Sequence, residues 1–159
     1  VTEVYLSPNF TLREFTRSQN ASRLGISNQP TPEHLENMKL LCRHVLEPIR
    51  AYYRKPLALS SGYRSKELNA KTPGSSSTSQ HSTGEAADFE IAGIPNIDVV
   101  KWIKANLQFD QCILEFYVPG DPNSGWVHCS YESKGPQRRE VLTATRVNGK
   151  TVYTKGLPK

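Results

Sequence analysis

His81 and Asp88 sit close together in Ser79-Gln80-His81-Ser82-Thr83-Gly84-Glu85-Ala86-Ala87-Asp88, and His128 follows in Trp126-Val127-His128. Two imidazoles and one carboxylate make a ligand set for a first-row metal. With three protein ligands, tetrahedral zinc keeps a fourth position for a water that can be activated, which separates a catalytic site from a closed structural one. Gly84 allows the chain to turn between the ligands, and Ala86 and Ala87 let the backbone pack close to a metal. Asp88 opens an apolar run, Asp88-Phe89-Glu90-Ile91, that reads as a strand entering the core. A carboxylate at the mouth of a buried strand requires a compensating partner, and a cation is one. Each residue alone has an ordinary explanation as a loop histidine, a capping aspartate or a core histidine. The three together favour zinc.

These residues also carry a family resemblance. His81, Gly84 and Asp88 resemble the SxHxxGxAxD signature of the zinc D-alanyl-D-alanine carboxypeptidases and phage L-alanyl-D-glutamate endopeptidases. Ser61-Gly62-Tyr63-Arg64-Ser65 with Asn69 resembles the SGYRS…N segment of that family, and Trp126-Val127-His128 its WxH-type segment. The resemblance runs from about Phe10 to Tyr131. It implies that His81, Asp88 and His128 hold Zn2+, that Arg64 grips a substrate carbonyl or carboxylate and steadies the oxyanion, and that the substrate is a peptidoglycan peptide.

One position departs from the pattern. Many members carry a catalytic glutamate three residues before the last histidine, where this chain has Gly125. A related subgroup places it in the preceding strand, and Glu115 in Cys112-Ile113-Leu114-Glu115-Phe116 fits that place. Burial there would raise its pKa toward the range useful for a general base. Alternation alone would equally point Glu115 to solvent on an edge strand, and Glu85 and Glu132 are the other acids near the ligands in sequence. Tyr63, Gln80 and Trp126 are the expected substrate contacts, with Tyr131 a further candidate for the cleft.

The elements that must position these residues are legible in outline. Thr11 and Glu14 form a capping box, with Phe10 stapled on Phe15, and the helix they open is expected to end near Asn20. Thr31-Pro32 opens a longer helix whose stripe of Leu35, Met38, Leu41, Cys42, Val45, Leu46 and Ile49 is core, kinked by Pro48. His34 and His44 on it are packing or surface residues. Leu57 to Ser60 reads as a strand leading to Arg64, and Thr72 to Thr78 as a small-residue loop delivering His81. Asp98 to Leu107 is an amphipathic helix. Cys112 to Tyr117 and Trp126 to Tyr131 read as a hairpin, and Asn148-Gly149 marks a second one within about 140–154. The expected fold is α+β, helices on a largely antiparallel sheet like that of Hedgehog domains and DD-peptidases, in a single domain over 1–159.

Charge and cysteine content bound the partners. The net charge of +5 suits an anionic partner. The basic residues are scattered without interleaved aromatics, which argues against a dedicated nucleic-acid module and for an anionic cell-wall polymer. Cys42, Cys112 and Cys129 lack CxxC spacing, so no disulfide framework or thiolate zinc site is expected. No signal peptide and no membrane-crossing run is visible, so a protein acting on the wall must be released as phage lysins are, or travel on a virion. The expected enzyme is a monomeric zinc peptidase cutting peptidoglycan stem peptides, endopeptidase or carboxypeptidase. The alternative is a non-catalytic zinc-containing module that binds wall peptide or a protein.

Overall fold

The computed structural model describes residues 3–72 and 79–158. The chain begins with a short ribbon, β1 (Tyr5–Ser7) and β2 (Phe10–Thr11), and continues into α1 (Leu12–Thr16) and α2 (Gln19–Leu24). The capping box is present: the Thr11 hydroxyl accepts from the Glu14 N–H while the Glu14 carboxylate accepts from the Thr11 N–H. Phe10 and Phe15 are both buried, as a staple requires. The first helix ends at Thr16 instead of near Asn20. Arg17 leaves the helical region, and Ser18 caps a new helix by accepting from the Ala21 N–H.

Thr31 caps α3 (Pro32–Leu41) with proline in the first turn. The run continues through a wide π-helical turn, Cys42–Leu46, into α4 (Glu47–Tyr53). This wide turn is how the chain accommodates Pro48, which has no N–H to donate and whose ring crowds the carbonyl one turn back. After it come β3 (Ala58–Ser61), α5 (Lys66–Ala70), a 3-10 turn (Gln80–Thr83), β4 (Ala86–Glu90), α6 (Asn96–Asn106), β5 (Gln111–Glu115), β6 (Trp126–Ser130), β7 (Glu140–Val147) and β8 (Lys150–Lys155). All but Thr72 of the expected Thr72 to Thr78 loop lies outside the described residues.

The main sheet has the order β3-β4-β6-β5-β7-β8. Every neighbouring pair is antiparallel except β5 and β7. The fold is therefore α+β with a mostly antiparallel sheet, as expected. Both predicted hairpins are present, and Asn148 and Gly149 take positive φ of 52° and 78° at the tip of the second, the conformation a tight two-residue turn demands.

Alternation along the strands gives the sheet two unlike faces. Ala87, Phe89, Cys112, Leu114, Val127 and Cys129 point to one side, where they are buried with Met38, Leu41, Val45, Leu46 and Ile49 and with Val99, Val100 and Ile103 of α6. A large side chain fully buried in this layer contributes about 1.5–3 kcal/mol. All three cysteines are free and buried, consistent with a packing role. Asp88, His128, Ile113 and Glu115 point to the other side. The core thus holds the strands in register while the opposite face carries the polar residues.

Candidate metal centre

Asp88 and His128 are direct cross-strand partners on β4 and β6, which brings His128 Nδ1 to 2.9 Å from Asp88 Oδ1. His81 arrives from a different element. Its 3-10 turn is capped by Ser79, whose hydroxyl accepts from the His81 N–H, and ends at Gly84 with φ +79°. A Cβ at Gly84 would lie 2.5 Å from the His34 carbonyl oxygen, so the turn can pack on α3 only with glycine there. This places His81 Nε2 3.3 Å from Asp88 Oδ1.

His81 Nδ1 lies 2.6 Å from the Gly62 carbonyl oxygen. A carbonyl can only accept, so Nδ1 donates to Gly62 and Nε2 is the ring nitrogen that faces Asp88. This is the orientation in which an outer hydrogen bond fixes a metal-binding imidazole. One ligand atom from each of His81, Asp88 and His128 lies within 4.8 Å of the others. Tetrahedral zinc with bonds of about 2.0–2.1 Å separates its ligand atoms by roughly 3.4 Å. The 3.3 Å separation matches that spacing, and the 2.9 Å one, a direct hydrogen bond, would have to open by about 0.5 Å to admit the ion. Burial alone would raise the Asp88 carboxyl, but the two histidines beside it outweigh burial and hold it well below the usual carboxylate range. It is therefore ionised, as a metal ligand must be.

Glu115 stands on the same face. Ile113 pairs with His128, and Glu115, two residues on, pairs with Trp126. Burial pushes its carboxyl up to about 7, with His128 lowering it and Asp88 adding to the rise. The other two acids are committed elsewhere. Glu85 is buried, one oxygen accepting from the Thr83 hydroxyl and the other from the Ser133 N–H. Glu132 accepts from the Lys134 N–H beyond the end of β6.

Gly125 explains why no acid occupies the position before His128. Its φ is +69°, and a Cβ there would fall 1.8 Å from the Glu115 carbonyl oxygen. Any side chain at 125 collides with the strand that carries Glu115. Gly125→Ala is expected to lower stability by at least about 3 kcal/mol, from a positive φ and a backbone clash together. Urea unfolding measures this, and a variant of wild-type stability would contradict the close approach.

Arg64 enters from the turn after β3, its N–H bonded to the His81 carbonyl. One guanidinium nitrogen donates to the Ser79 hydroxyl at 3.4 Å, while the buried Nε has no partner among the described residues. Burial lowers its pKa and Asp88 partly offsets this. A buried donor without an acceptor is costly, and an incoming carbonyl or carboxylate would satisfy it. Trp126 is half-buried beside Glu115 and packs on Phe116 at 5.4 Å between ring centroids.

Two expected substrate contacts meet contrary geometry. Tyr63 is buried, and its hydroxyl lies 3.0 Å from His34 Nδ1. Gln80 donates its amide to Asp110, which also pairs with Arg138. The apolar body of Tyr63 and the buried acceptor Asp110 hold the two side chains in these contacts. Tyr131 likewise stacks on His44, with rings 4.5 Å apart and 6° from parallel. Sequence reasoning missed the Gly62 carbonyl and the Ser79 cap. Both lie inside the motifs, where their backbone and capping roles have no chemical signature of their own. It also missed Asn96, which donates to the Ser124 and Gly125 carbonyls and anchors the loop before His128.

The family model of peptidase M15 matches residues 8–130. The chain belongs to the peptidase M15 family. A search of curated proteins finds no match to it. M15 peptidases are zinc-dependent and of a peptidoglycan-acting type, and the matched residues span every member of the metal group as well as Arg64 and Glu115. The β7–β8 hairpin lies beyond the match. Among the described residues no helix is long and apolar enough to cross a membrane.

Proposed function

We propose that this M15 chain is a zinc peptidase that hydrolyses a peptide bond in peptidoglycan stem peptides, with His81, Asp88 and His128 as metal ligands and Glu115 as general base. The observation that carries the reading is the joint placement, on one sheet face, of a metal-competent group and Glu115, whose carboxylate has no hydrogen-bond partner among the described residues and is raised to about 7 by burial in the metal-free protein. When bound, zinc supplies Lewis acidity to a carbonyl and makes a nearby water acidic near neutral pH.

The chain's own residues divide the remaining work. Asp88 and the two imidazoles hold the charge, with His81 fixed by Gly62. Glu115 takes a proton from the attacking water and returns it to the leaving amine, an exchange open to a half-buried carboxylate with no hydrogen-bond partner among the described residues. Arg64 offers its unpartnered Nε to the substrate carbonyl or carboxylate, where a donor in a partly desolvated site is worth most as negative charge develops. Trp126 borders the peptide beside Glu115. A non-catalytic module is not favoured, because a binding protein has no use for a half-buried carboxylate raised to about 7 in the metal-free protein.

We infer further that residues 1–159 work as one monomeric domain. Its basic surface holds it on the anionic wall, which it reaches after release or on a virion. The endopeptidase reading is preferred, the chain being small and basic. Purified peptidoglycan digested with the zinc-loaded protein is expected to release new amine groups. Mass spectrometry of the fragments then assigns the bond: new D-glutamyl amino termini mark endopeptidase action, and free D-alanine marks the carboxypeptidase. No release of either would overturn the reading.

A further inference from the structure

The C-terminal hairpin lies outside the residues matched to the family, yet the sheet register carries it onto the face of the metal group. Glu115 pairs with Trp126 of β6 on one side and with Ala144 of β7 on the other, and Ala144 pairs with Tyr153 of β8. Register partners share a face. Trp126, Glu115, Ala144 and Tyr153 therefore form one row across four strands, on the side that carries Asp88 and His128. At about 4.8 Å per strand, the row sets the two aromatic residues about 14 Å apart between Cα atoms.

The residues of this row are unlike in size and exposure. Ala144 is fully buried, whereas Tyr153 is 55% exposed. Tyr153 makes no ring contact and no side-chain hydrogen bond with the described residues. On the opposite side Trp126 is buttressed by Phe116, whose ring carries the Arg146 guanidinium 5.1 Å above it. Burial, followed by the charges of Glu115 and Asp88, raises the Tyr153 phenol, so the ring lies within reach of the field of both site carboxylates. The exposed Tyr153 ring thus borders the same face as Glu115 and Trp126, where an extended peptide on that face would meet it. Methyl groups and peptide planes pack well on aromatic faces, which offer large contact area at little cost in side-chain freedom.

We propose that Tyr153 is a substrate-binding residue: it stands across Glu115 and the covered Ala144 from Trp126, and its exposed ring receives the peptide segment adjoining the cleaved bond. Residues beyond the family match thus supply one wall of the cleft. This rests on the function proposed above, because the occupant is the wall peptide.

The test measures binding without cleavage. Zinc-loaded Glu115→Gln protein is titrated with a synthetic stem peptide containing both the L-alanyl-D-glutamate and D-alanyl-D-alanine bonds. Adding Tyr153→Ala is expected to weaken binding about tenfold, as loss of an aromatic anchor does. Tyr153→Phe, and Val152→Ala on the opposite face of the same strand, should stay within about twofold. With Glu115 restored, Tyr153→Ala should raise KM by a similar factor and leave kcat within about twofold. In protein with Tyr153 intact, the same peptide should shift the Tyr153 ring resonances and leave those of Tyr5 in place. Equal affinity with and without Tyr153→Ala, equal weakening by Val152→Ala, or an unmoved Tyr153 ring would overturn the role of Tyr153 while leaving the peptidase reading intact. Failure of the Glu115→Gln parent to bind the peptide at all would overturn the substrate assignment and this inference with it.

Discussion

Glu115→Gln is expected to leave zinc content unchanged and to lower turnover by about 10²-fold or more, the usual contribution of a positioned general base. The variant keeps the shape of the side chain and its pairing opposite Trp126, so the loss isolates the proton-transfer role. It should also stabilise the metal-free protein. Burial raises the folded-state carboxyl from 4.5 to about 7, so between these values the folded chain holds a proton that the unfolded chain releases. Stability of the metal-free protein therefore falls as pH rises through that window, and is fully reduced above it. Removing the ionisable group removes the fall. At pH 8 the metal-free variant should exceed wild type by about 1–3 kcal/mol, discounted for partial solvation of the side chain. Loss of activity with a gain of metal-free stability is the pattern of a strained catalytic group. Wild-type turnover in the variant would move the base elsewhere, and a less stable variant would make Glu115 structural.

His81→Ala, Asp88→Ala and His128→Ala are each expected to lose zinc on dialysis and to reduce activity by about 10³-fold or more, since two ligands cannot hold the ion in an open site. Asp88→Asn is the sharper variant. It keeps nearly the same volume beside both imidazoles but removes the charge that balances the cation. His34→Ala and His44→Ala should retain zinc, because His34 faces Tyr63 and His44 stacks on Tyr131. Metal analysis after exhaustive dialysis decides the matter. Retention of zinc in all three alanine variants would refute the ligand assignment.

Much of this site was legible before any fold was known. The histidines and Asp88 declare themselves by residue type, and the strand alternation that turns them to one face is written in the apolar neighbours Phe89, Val127 and Cys129. The capping box, the proline-opened helix and the Asn148-Gly149 turn were equally plain, because each is a local rule satisfied within a few residues. What escaped was set by contacts distant in sequence. The choice of Glu115 over Glu85 and Glu132 depends on strand register and on which carboxylates find N–H partners. Gly125 reads as a missing acid until the Glu115 carbonyl is found against it. The contacts of Tyr63 with His34 and of Gln80 with Asp110 join residues far apart in the chain, so neither is written in the local sequence. The place of Tyr153 rests on the parallel pairing of β5 with β7, which no periodicity within either strand announces.

The proposed activity needs one ion and one carboxylate acting on a peptide bond, and a zinc titration tests both. Metal-free protein is mixed with increasing zinc, and amine release from purified peptidoglycan is followed at each addition for wild type and Glu115→Gln. Release by wild type should rise from zero and level off at about one zinc per chain, while Glu115→Gln binds the same zinc and stays near zero. Amine release that persists in the chelated protein, or that proceeds equally in Glu115→Gln, would contradict it.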